Sequence, residues 1–208
     1  MSAVQSLLVL EEARVLPVVV IDDAGQAEGL ARALLAGGIP CAEVTLRTDA
    51  GLDAISAMSA VEGFTVVAGT VLTAGDAENA ISAGAVAVVS PGLDEGVVRV
   101  AGRRDSGVVP GIATATELQR AVSLGVQRVK FFPAAVSGGV AAIAALAGPF
   151  ATVRFLPSGG VTLASAPEYL AHPSVFAVSG SWMVPRDGLG DSERIRALAA
   201  RTTEALRS

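Results

Sequence analysis

The sequence predicts an α/β protein, a single (β/α)8 barrel of the TIM type with a short N-terminal helix. Its 208 residues are enough for one well-buried core, so residues 1–208 are expected to form a single domain. Apolar, β-rich runs recur about every 20 to 25 residues, and an alanine-rich helical stretch follows each of them. Because parallel strands need crossover helices, this alternation predicts a parallel sheet covered by helices.

Eight strands and eight helices are expected, which suits a barrel near the lower end of its size range. The expected strands are 15–21, 41–46, 65–69, 86–90, 108–111, 128–133, 152–157 and 175–180, and the expected helices are 24–36, 50–59, 74–83, 95–102, 116–124, 139–146, 164–171 and 192–206. A doubly wound open sheet is the alternative. The first strand is not followed by the G-x-G-x-x-G turn of dinucleotide-binding sheets, which weakens that version of the alternative.

Composition and charge exclude several classes of protein. With 51% hydrophobic and 17% charged residues, the chain is not intrinsically disordered. Its net charge of −5 and its lack of a basic run argue against nucleic-acid binding, and no apolar stretch is long enough to span a membrane. The first twelve residues lack a positive leader and include Glu11 and Glu12, so they predict a helix rather than a signal peptide, and a cytoplasmic protein. The lone Cys41 excludes an internal disulfide, and Cys41 and His172 are too few for a Cys/His metal site.

The second strand carries an unusual polar face. Side chains alternate across a strand, so Glu43, Thr45 and Arg47 share one face and the apolar residues share the other. If helices cover the apolar face, the polar face points into the barrel, where a carboxylate and a guanidinium are costly unless they are paired or used. Two alternatives stay open at this point: a half-exposed strand, and a Glu43–Arg47 ion pair with a structural role only.

Lys130 is the only lysine among the 15 lysine and arginine residues. It lies in the middle of the sixth expected strand, on the same face as Phe132. Burial among aromatic groups, with Arg47 nearby, disfavours the ammonium form, and an uncharged lysine amine can act as a nucleophile. Arginine cannot take this role because it stays protonated. The alternative is a lysine whose side chain reaches out to solvent at the rim.

Turns after four strands add candidate binding groups. Glycine-rich turns follow the seventh strand (157–162) and the eighth (179–181), where barrels frequently bind phosphate on backbone N–H groups. Thr70 follows the third strand and offers a hydroxyl at the rim, and Pro91 adds an apolar wall after the fourth. Each of these turns, taken alone, is more often simple turn chemistry, whereas two glycine-rich turns on the two expected neighbouring units favour a phosphate site.

Eight segments in this order closely resemble the 2-keto-3-deoxy-6-phosphogluconate (KDPG) aldolase family, whose members are often also active on 4-hydroxy-2-oxoglutarate. They are EVTLRT (43–48), AGTVL (68–72), SPG (90–92), VPGIAT (109–114), KFFPA (130–134), GPF (148–150), PSGGV (157–161) and GSWMVP (180–185). The resemblance extends from about Val15 to the final helix, and the segments around Glu43 and Lys130 are specific to the family. Ser158 departs from the threonine common at its position but keeps the hydroxyl.

The resemblance implies a class I lyase that needs neither metal nor cofactor, and typically a homotrimer. Lys130 would form the Schiff base and Glu43 would transfer protons. The residues implied to bind the small 2-keto acid are Arg47 and Thr70 at its carboxylate, Pro91 and Phe132 along its pocket, and Gly159, Gly160, Gly180 and Ser181 at the distal phosphate. The related aldolase for the galactonate-derived epimer lacks this arginine, so Arg47 favours the gluconate type.

The expected reaction gives pyruvate and glyceraldehyde 3-phosphate, or glyoxylate in place of the latter from 4-hydroxy-2-oxoglutarate. The sequence does not decide between the two substrates. Two rival functions remain: a phosphate-binding barrel enzyme of another class, such as an isomerase, and a non-catalytic protein that binds a metabolite. The first would not need an interior lysine, and the intact set of Glu43, Arg47 and Lys130 argues against the second.

Overall fold

The computed structural model describes residues 3–206, in which parallel strands alternate with helices. The helices are α1 (Ala3–Ala13), α2 (Ala27–Ala36), α3 (Gly51–Ser59), α4 (Ala74–Ser82), α5 (Glu95–Arg103), α6 (Ala115–Ser123), α7 (Gly139–Ala147), α8 (Ala166–Leu170) and α9 (Ser192–Ala205). The strands are β1 (Val15–Val19), β2 (Cys41–Thr45), β3 (Thr65–Gly69), β4 (Ala87–Val89), β5 (Gly107–Val109), β6 (Gly111–Ile112), β7 (Arg128–Phe131), β8 (Arg154–Pro157) and β9 (Val178–Gly180). The expected opening helix is present as α1, although its first two residues lie outside the described part.

The strands form two parallel sheets, which confirms the predicted α/β class. One sheet has the order β5-β4-β3-β2-β1-β9 and the other has the order β6-β7-β8. Two isolated parallel bridges, Phe155–Val175 and Ser158–Ser179, connect β8 with the segment that carries β9. The predicted parallel direction and sequential order of the strands are therefore confirmed. The single closed sheet that was predicted is not observed, because the hydrogen-bonded strands form two separate sheets.

Pro110 causes the division at the fifth strand. The sequence predicts one strand over 108–111, but the structure has β5 paired with β4 and β6 paired with β7. Proline has no N–H to donate to a ladder, so pairing is interrupted at that residue. Its carbonyl still accepts a hydrogen bond from the backbone N–H of Lys130 at 2.9 Å. The interruption therefore lies directly beside the strand that carries the lysine.

Capping residues fix the starts of the helices at the carboxyl ends of the strands. The Thr73 hydroxyl accepts from the Asp76 N–H at 3.1 Å, while the Asp76 carboxylate accepts from the Thr73 N–H at 3.0 Å. Thr114 and Glu117 form the same reciprocal pair at α6. These bonds satisfy N–H groups that a helix cannot satisfy itself, and they hold the loops that precede the helices.

One connected core of buried apolar side chains extends from Leu7 to Leu206. Every residue of β2 and β3 is buried, including Glu43 and Thr45 on the inward face of β2. The predicted inward direction of this polar face is thus observed. Within residues 3–206, no helix combines the length and apolarity needed to cross a bilayer.

Candidate active site

Lys130 and Glu43 meet inside the fold, although they are 87 positions apart in the sequence. Lys130 Nζ donates to Glu43 Oε1 at 3.1 Å and lies 3.5 Å from Oε2. Lys130 is only 5% exposed and Glu43 is fully buried. The lysine therefore does not reach out to solvent, and the carboxylate pairs with Lys130 rather than with Arg47. A nucleophile and a base at hydrogen-bond distance are the arrangement that amine-based covalent catalysis requires.

A cavity of about 260 Å³ opens beside the Lys130 amine. The Phe132 ring lies on one side, with its centre 5.4 Å from Nζ. Nine of the lining residues belong to the three stretches 130–132, 158–161 and 179–181, which end neighbouring strands. The cavity is lined by Val18, Arg47, Lys130, Phe132, Ser158, Gly159, Gly160, Val161, Ser179, Gly180 and Ser181. Six of the ten site residues proposed from the sequence are thus brought to one cavity with the lysine: Arg47, Phe132, Gly159, Gly160, Gly180 and Ser181.

Gly69 makes room for the Glu43 carboxylate. In the β2–β3 register Gly69 is the partner of Thr45, and the Glu43 side chain leans over it. A Cβ atom added at Gly69 would lie 2.5 Å from Cγ and 2.7 Å from Cδ of Glu43, well inside contact distance. Only glycine at this position lets the buried carboxylate lie where it reaches Lys130. Next to it, Thr45 donates its hydroxyl to the Val19 carbonyl at 2.9 Å, which leaves no unpaired polar group on that strand face.

Arg47 and Thr70 are joined at the rim of the cavity. Arg47 Nε donates to the Thr70 hydroxyl at 3.0 Å, which ties the loop after β2 to the loop after β3. Thr70 has a φ of 56°, a left-handed conformation that is unusual and costly for a β-branched residue. This conformation holds the hydroxyl in place for Arg47. The remaining guanidinium N–H groups of the exposed Arg47 can receive a carboxylate.

The glycine-rich turn after β8 has the geometry of an anion-binding loop. Gly159 and Gly160 have backbone φ values of 88° and 79°, which residues other than glycine rarely adopt. A Cβ atom at Gly159 would also approach the Phe132 ring at 3.0 Å. Ser181, after β9, is exposed beside this turn. Successive backbone N–H groups in such a turn can bind phosphate oxygens.

Pro91 is not among the residues that line the Lys130 cavity. It lines a separate cavity of about 270 Å³ between the loops after β3 and β4, together with Val71, Leu72, Ser90, Gly92, Leu93 and Asp94. Thr70 and Glu43 also lie outside the lining set. Each is hydrogen-bonded to a lining residue, Thr70 to Arg47 and Glu43 to Lys130.

Two residues of the site were missed from the sequence. Ser179 lines the cavity and its hydroxyl donates to Glu43 Oε2 at 3.5 Å. A buried serine within an apolar run was the available signal, but the segment was interpreted as part of a turn. The steric role of Gly69 had no signal, because the closeness of Glu43 depends on the pairing of two strands.

Cys41 lies on the same strand face as Glu43 but has no chemical role at the cavity. Burial raises the pKa of its thiol to about 12, so the thiol stays protonated at neutral pH. Across the described ranges, the His, Cys, Asp and Glu side chains form no group of three or more able to hold a metal ion.

Comparisons with known proteins agree with this geometry. A family profile described as "Aldolase: KDPG and KHG aldolase" matches residues 7–198. A 2-dehydro-3-deoxy-phosphogluconate aldolase of Treponema pallidum (strain Nichols) is 46% identical over 198 residues, which are 94% of this chain and 94% of the relative.

Two solved structures are similar over nearly the whole chain. The 2-keto-3-deoxy-6-phosphogluconate aldolase of Zymomonas mobilis ZM4 with 3-phosphoglycerate has a TM-score of 0.92 and 42% identity, over 97% of this chain and 96% of that one. The KDPG aldolase of Legionella pneumophila, with pyruvate captured at low pH as a covalent carbinolamine intermediate, has a TM-score of 0.91 and 35% identity, over 95% and 98%.

Proposed function

The chain belongs to the KDPG and KHG aldolase family, and from this membership we propose how its own residues perform the reaction. It is a carbon–carbon lyase, a class I aldolase that cleaves 2-keto-3-deoxy-6-phosphogluconate to pyruvate and glyceraldehyde 3-phosphate. The observation that carries the proposal is the Lys130 amine, which is 5% exposed, lies 3.1 Å from Glu43 Oε1 and lines a cavity of about 260 Å³.

The reaction starts with a proton transfer along the Lys130–Glu43 hydrogen bond, which gives a neutral amine and a carboxylic acid. The amine attacks the C2 ketone, its nitrogen passes two hydrogens to the departing oxygen while Glu43 returns its proton to that nitrogen, and loss of water leaves a cationic imine. This cation withdraws electrons from the C3–C4 bond, which breaks as the C4 hydroxyl loses its proton. Glyceraldehyde 3-phosphate leaves, the resulting enamine is protonated at C3, and hydrolysis of the imine releases pyruvate and the free amine.

The remaining site residues bind and orient the small 2-keto acid. Arg47, held by Thr70, receives the carboxylate through charge-assisted hydrogen bonds. Phe132 forms an apolar wall beside the imine, whereas Pro91 lines the neighbouring cavity between the loops after β3 and β4. The backbone of Gly159, Gly160 and Gly180 and the Ser181 side chain hold the distal phosphate. The relative positions of Arg47 and the glycine-rich turns around one cavity support this orientation.

Borohydride reduction in the presence of pyruvate tests the proposal. Reduction converts an imine into a stable amine, so peptide mass analysis should find a pyruvate-derived mass increment on Lys130. The enzymatic activity should fall in proportion to the fraction of Lys130 that carries this increment. The matched control is Lys130→Arg, which keeps the positive charge but cannot form the imine and should show neither the increment nor turnover. If wild-type protein gains no increment, or if Lys130→Arg retains substantial activity, the assignment of Lys130 is wrong.

Activity on 4-hydroxy-2-oxoglutarate, giving pyruvate and glyoxylate, is proposed as a second reaction of the same site. Both substrates offer the same 2-keto carboxylate to Lys130 and Arg47, and they differ at the end that reaches Gly159 and Gly160. Left-handed glycine turns bind phosphate oxygens well, so kcat/KM is expected to be higher for the phosphorylated substrate. A comparison of kcat/KM for the two substrates measures this preference, and an equal or reversed ratio would contradict it.

We further propose that the two sheets act as one closed (β/α)8 barrel in a single domain covering residues 1–208. Support comes from the two bridges between β8 and the β9 segment, and from the single residue, Pro110, that separates β5 from β6. A cytoplasmic location is proposed as well, because doubly charged phosphate esters do not cross membranes and must be cleaved where they are made.

A homotrimer is proposed from exposed apolar residues at two places on the rim. Leu72 after β3 is 57% exposed and Val136 after β7 is 84% exposed. A cyclic trimer needs two different patches on each subunit, because every interface joins unlike surfaces. Sedimentation equilibrium should give three times the chain mass, and Val136→Asp should lower it. A monomeric wild-type protein would contradict this proposal without affecting the assignment of Lys130.

A further inference from the structure

The Glu43 carboxylate has no direct opening to the cavity in which the substrate would react. Glu43 is fully buried and is not one of the lining residues, and its Oε1 atom is occupied by Lys130. A general base must be within hydrogen-bond reach of the proton that it moves, directly or through one intermediate group. Protons at C3 and at the C4 hydroxyl of the substrate therefore need a group that contacts both Glu43 and the cavity.

Besides Lys130, which carries the imine, Ser179 is the residue that both contacts Glu43 and lines the cavity. It lies on β9, opposite Leu16 of β1 and bridged to Ser158, and it is a fully buried residue that lines the cavity. Its hydroxyl donates to Glu43 Oε2 at 3.5 Å, the oxygen farther from Lys130. This distance is long, but hydrogen bonds of catalytic groups often shorten only when the substrate binds.

We propose that Ser179 is a catalytic residue that relays protons between Glu43 and the substrate, a role that rests on the proposed function. When the C3–C4 bond breaks, the C4 hydroxyl proton passes to Ser179 Oγ, and the hydrogen of Ser179 passes to Glu43 Oε2. When the enamine is protonated, the proton on Oε2 returns to Ser179, whose own hydrogen goes to C3. Over the cycle Ser179 and Glu43 return to their starting states.

This arrangement divides the work of Glu43 between its two oxygens. Oε1 exchanges a proton with Lys130 while the imine forms, and Oε2 exchanges a proton with Ser179 while carbon bonds change. Loss of the Ser179 hydroxyl should therefore leave imine formation largely intact and slow the proton transfers to carbon. A serine that only helped to fold the strand or to position Glu43 would slow both steps together.

Exchange of the methyl protons of pyruvate in deuterium oxide separates these steps, because it needs the imine, the enamine and proton transfer at C3 but no phosphate. In Ser179→Ala, NMR should show exchange slowed at least about 100-fold, the lower end of the usual contribution of a general acid–base group. Borohydride capture of pyruvate on Lys130 should stay within about twofold of the wild-type rate, because Oε1 is untouched. Ser179→Thr keeps a hydroxyl and should recover most of the exchange.

The matched control is Ser106→Ala, which removes a buried serine hydroxyl that is bonded to the Val86 carbonyl and lies away from the cavity. It should leave both rates unchanged. If Ser179→Ala does not fold, Ser179→Cys preserves the shape with a weak donor and should show the same loss of exchange. Wild-type exchange in these variants, or equal slowing of exchange and capture, would overturn the relay. Failure of capture in the wild type would instead overturn the proposed function.

Discussion

Substitution of Gly69 by alanine tests directly whether the position of Glu43 is set by the strand beside it. The new Cβ atom would lie 2.5 Å from Cγ and 2.7 Å from Cδ of Glu43, whereas ordinary contacts begin at 3.4 Å. The carboxylate must therefore shift by about 1 Å to regain an optimal contact distance. Glu43 is fully buried and cannot relax into solvent, so the shift lengthens its 3.1 Å hydrogen bond to Lys130.

A misplacement of this size lowers rates by about 100-fold, so we expect kcat of Gly69→Ala to fall by roughly that factor with a small change in KM. Overpacking should also cost about 1–3 kcal/mol of unfolding free energy. Coupled NADH oxidation by lactate dehydrogenase follows pyruvate release, and urea unfolding gives the stability. In a Glu43→Ala background the same substitution should cost little stability, because the atoms that it meets are gone.

The matched control is Gly102→Ala in helix α5, where an added Cβ has no atom within 4 Å. It should leave kcat unchanged and raise the unfolding free energy by up to about 1 kcal/mol, because alanine favours the helix. A kcat of Gly69→Ala within about threefold of the wild-type value would refute the reasoning. It would show that the rate does not depend on the position of the Glu43 carboxylate that Gly69 allows.

Three further outcomes are expected. Glu43→Gln keeps the shape of the side chain but cannot accept a proton, so kcat should fall by about 10²–10⁴-fold while the protein stays folded by circular dichroism. Arg47→Lys loses the Nε–H donor to Thr70, so KM for the keto acid should rise about tenfold in steady-state assays with kcat nearly constant. Capping bonds to the N–H groups of Ala113 and Thr114 lower the pKa of Glu117, so its carboxylate stabilises the fold above the ordinary glutamate pKa and loses that contribution as the pH falls through its lowered value. Glu117→Ala should therefore cost about 1 kcal/mol at pH 7 and progressively less as the pH falls below the ordinary glutamate pKa in denaturant titrations; a pH-independent difference would contradict the capping role.

The sequence predicted the parts of the fold that follow from periodicity and side-chain chemistry. Strand β3 was predicted at its observed bounds, and the inward face of Glu43 followed from the alternation of β2. The division of the fifth strand was not predicted, although Pro110 supplies the physical reason. The strand was predicted from a run of apolar residues, and this pattern does not show that one of them lacks a backbone N–H group. Contacts that depend on strand pairing, such as Gly69 with Glu43, had no local signal.

The same limit applies to the site residues. Lys130 stood out because it was the only lysine, and Arg47 because it continues the polar face of the second strand beyond Glu43 and Thr45. Ser179 did not, since serine is common in turns and its contact with Glu43 joins residues 136 positions apart. Pro91 was expected at the same pocket as Phe132, but the loop after β4 directs it toward a neighbouring cavity. Which loop residues share a cavity depends on loop conformation, which residue type alone does not determine.

The burial of the only side-chain amine makes Lys130 a built-in reporter of conformational opening. A bulky acylating reagent cannot reach a group that is 5% exposed, whereas a small keto acid enters through the cavity. The rate at which such a reagent tags Lys130 would therefore measure how often the native molecule opens far enough to admit it. In saturating pyruvate the tagging should slow further, because imine formation occupies the same amine.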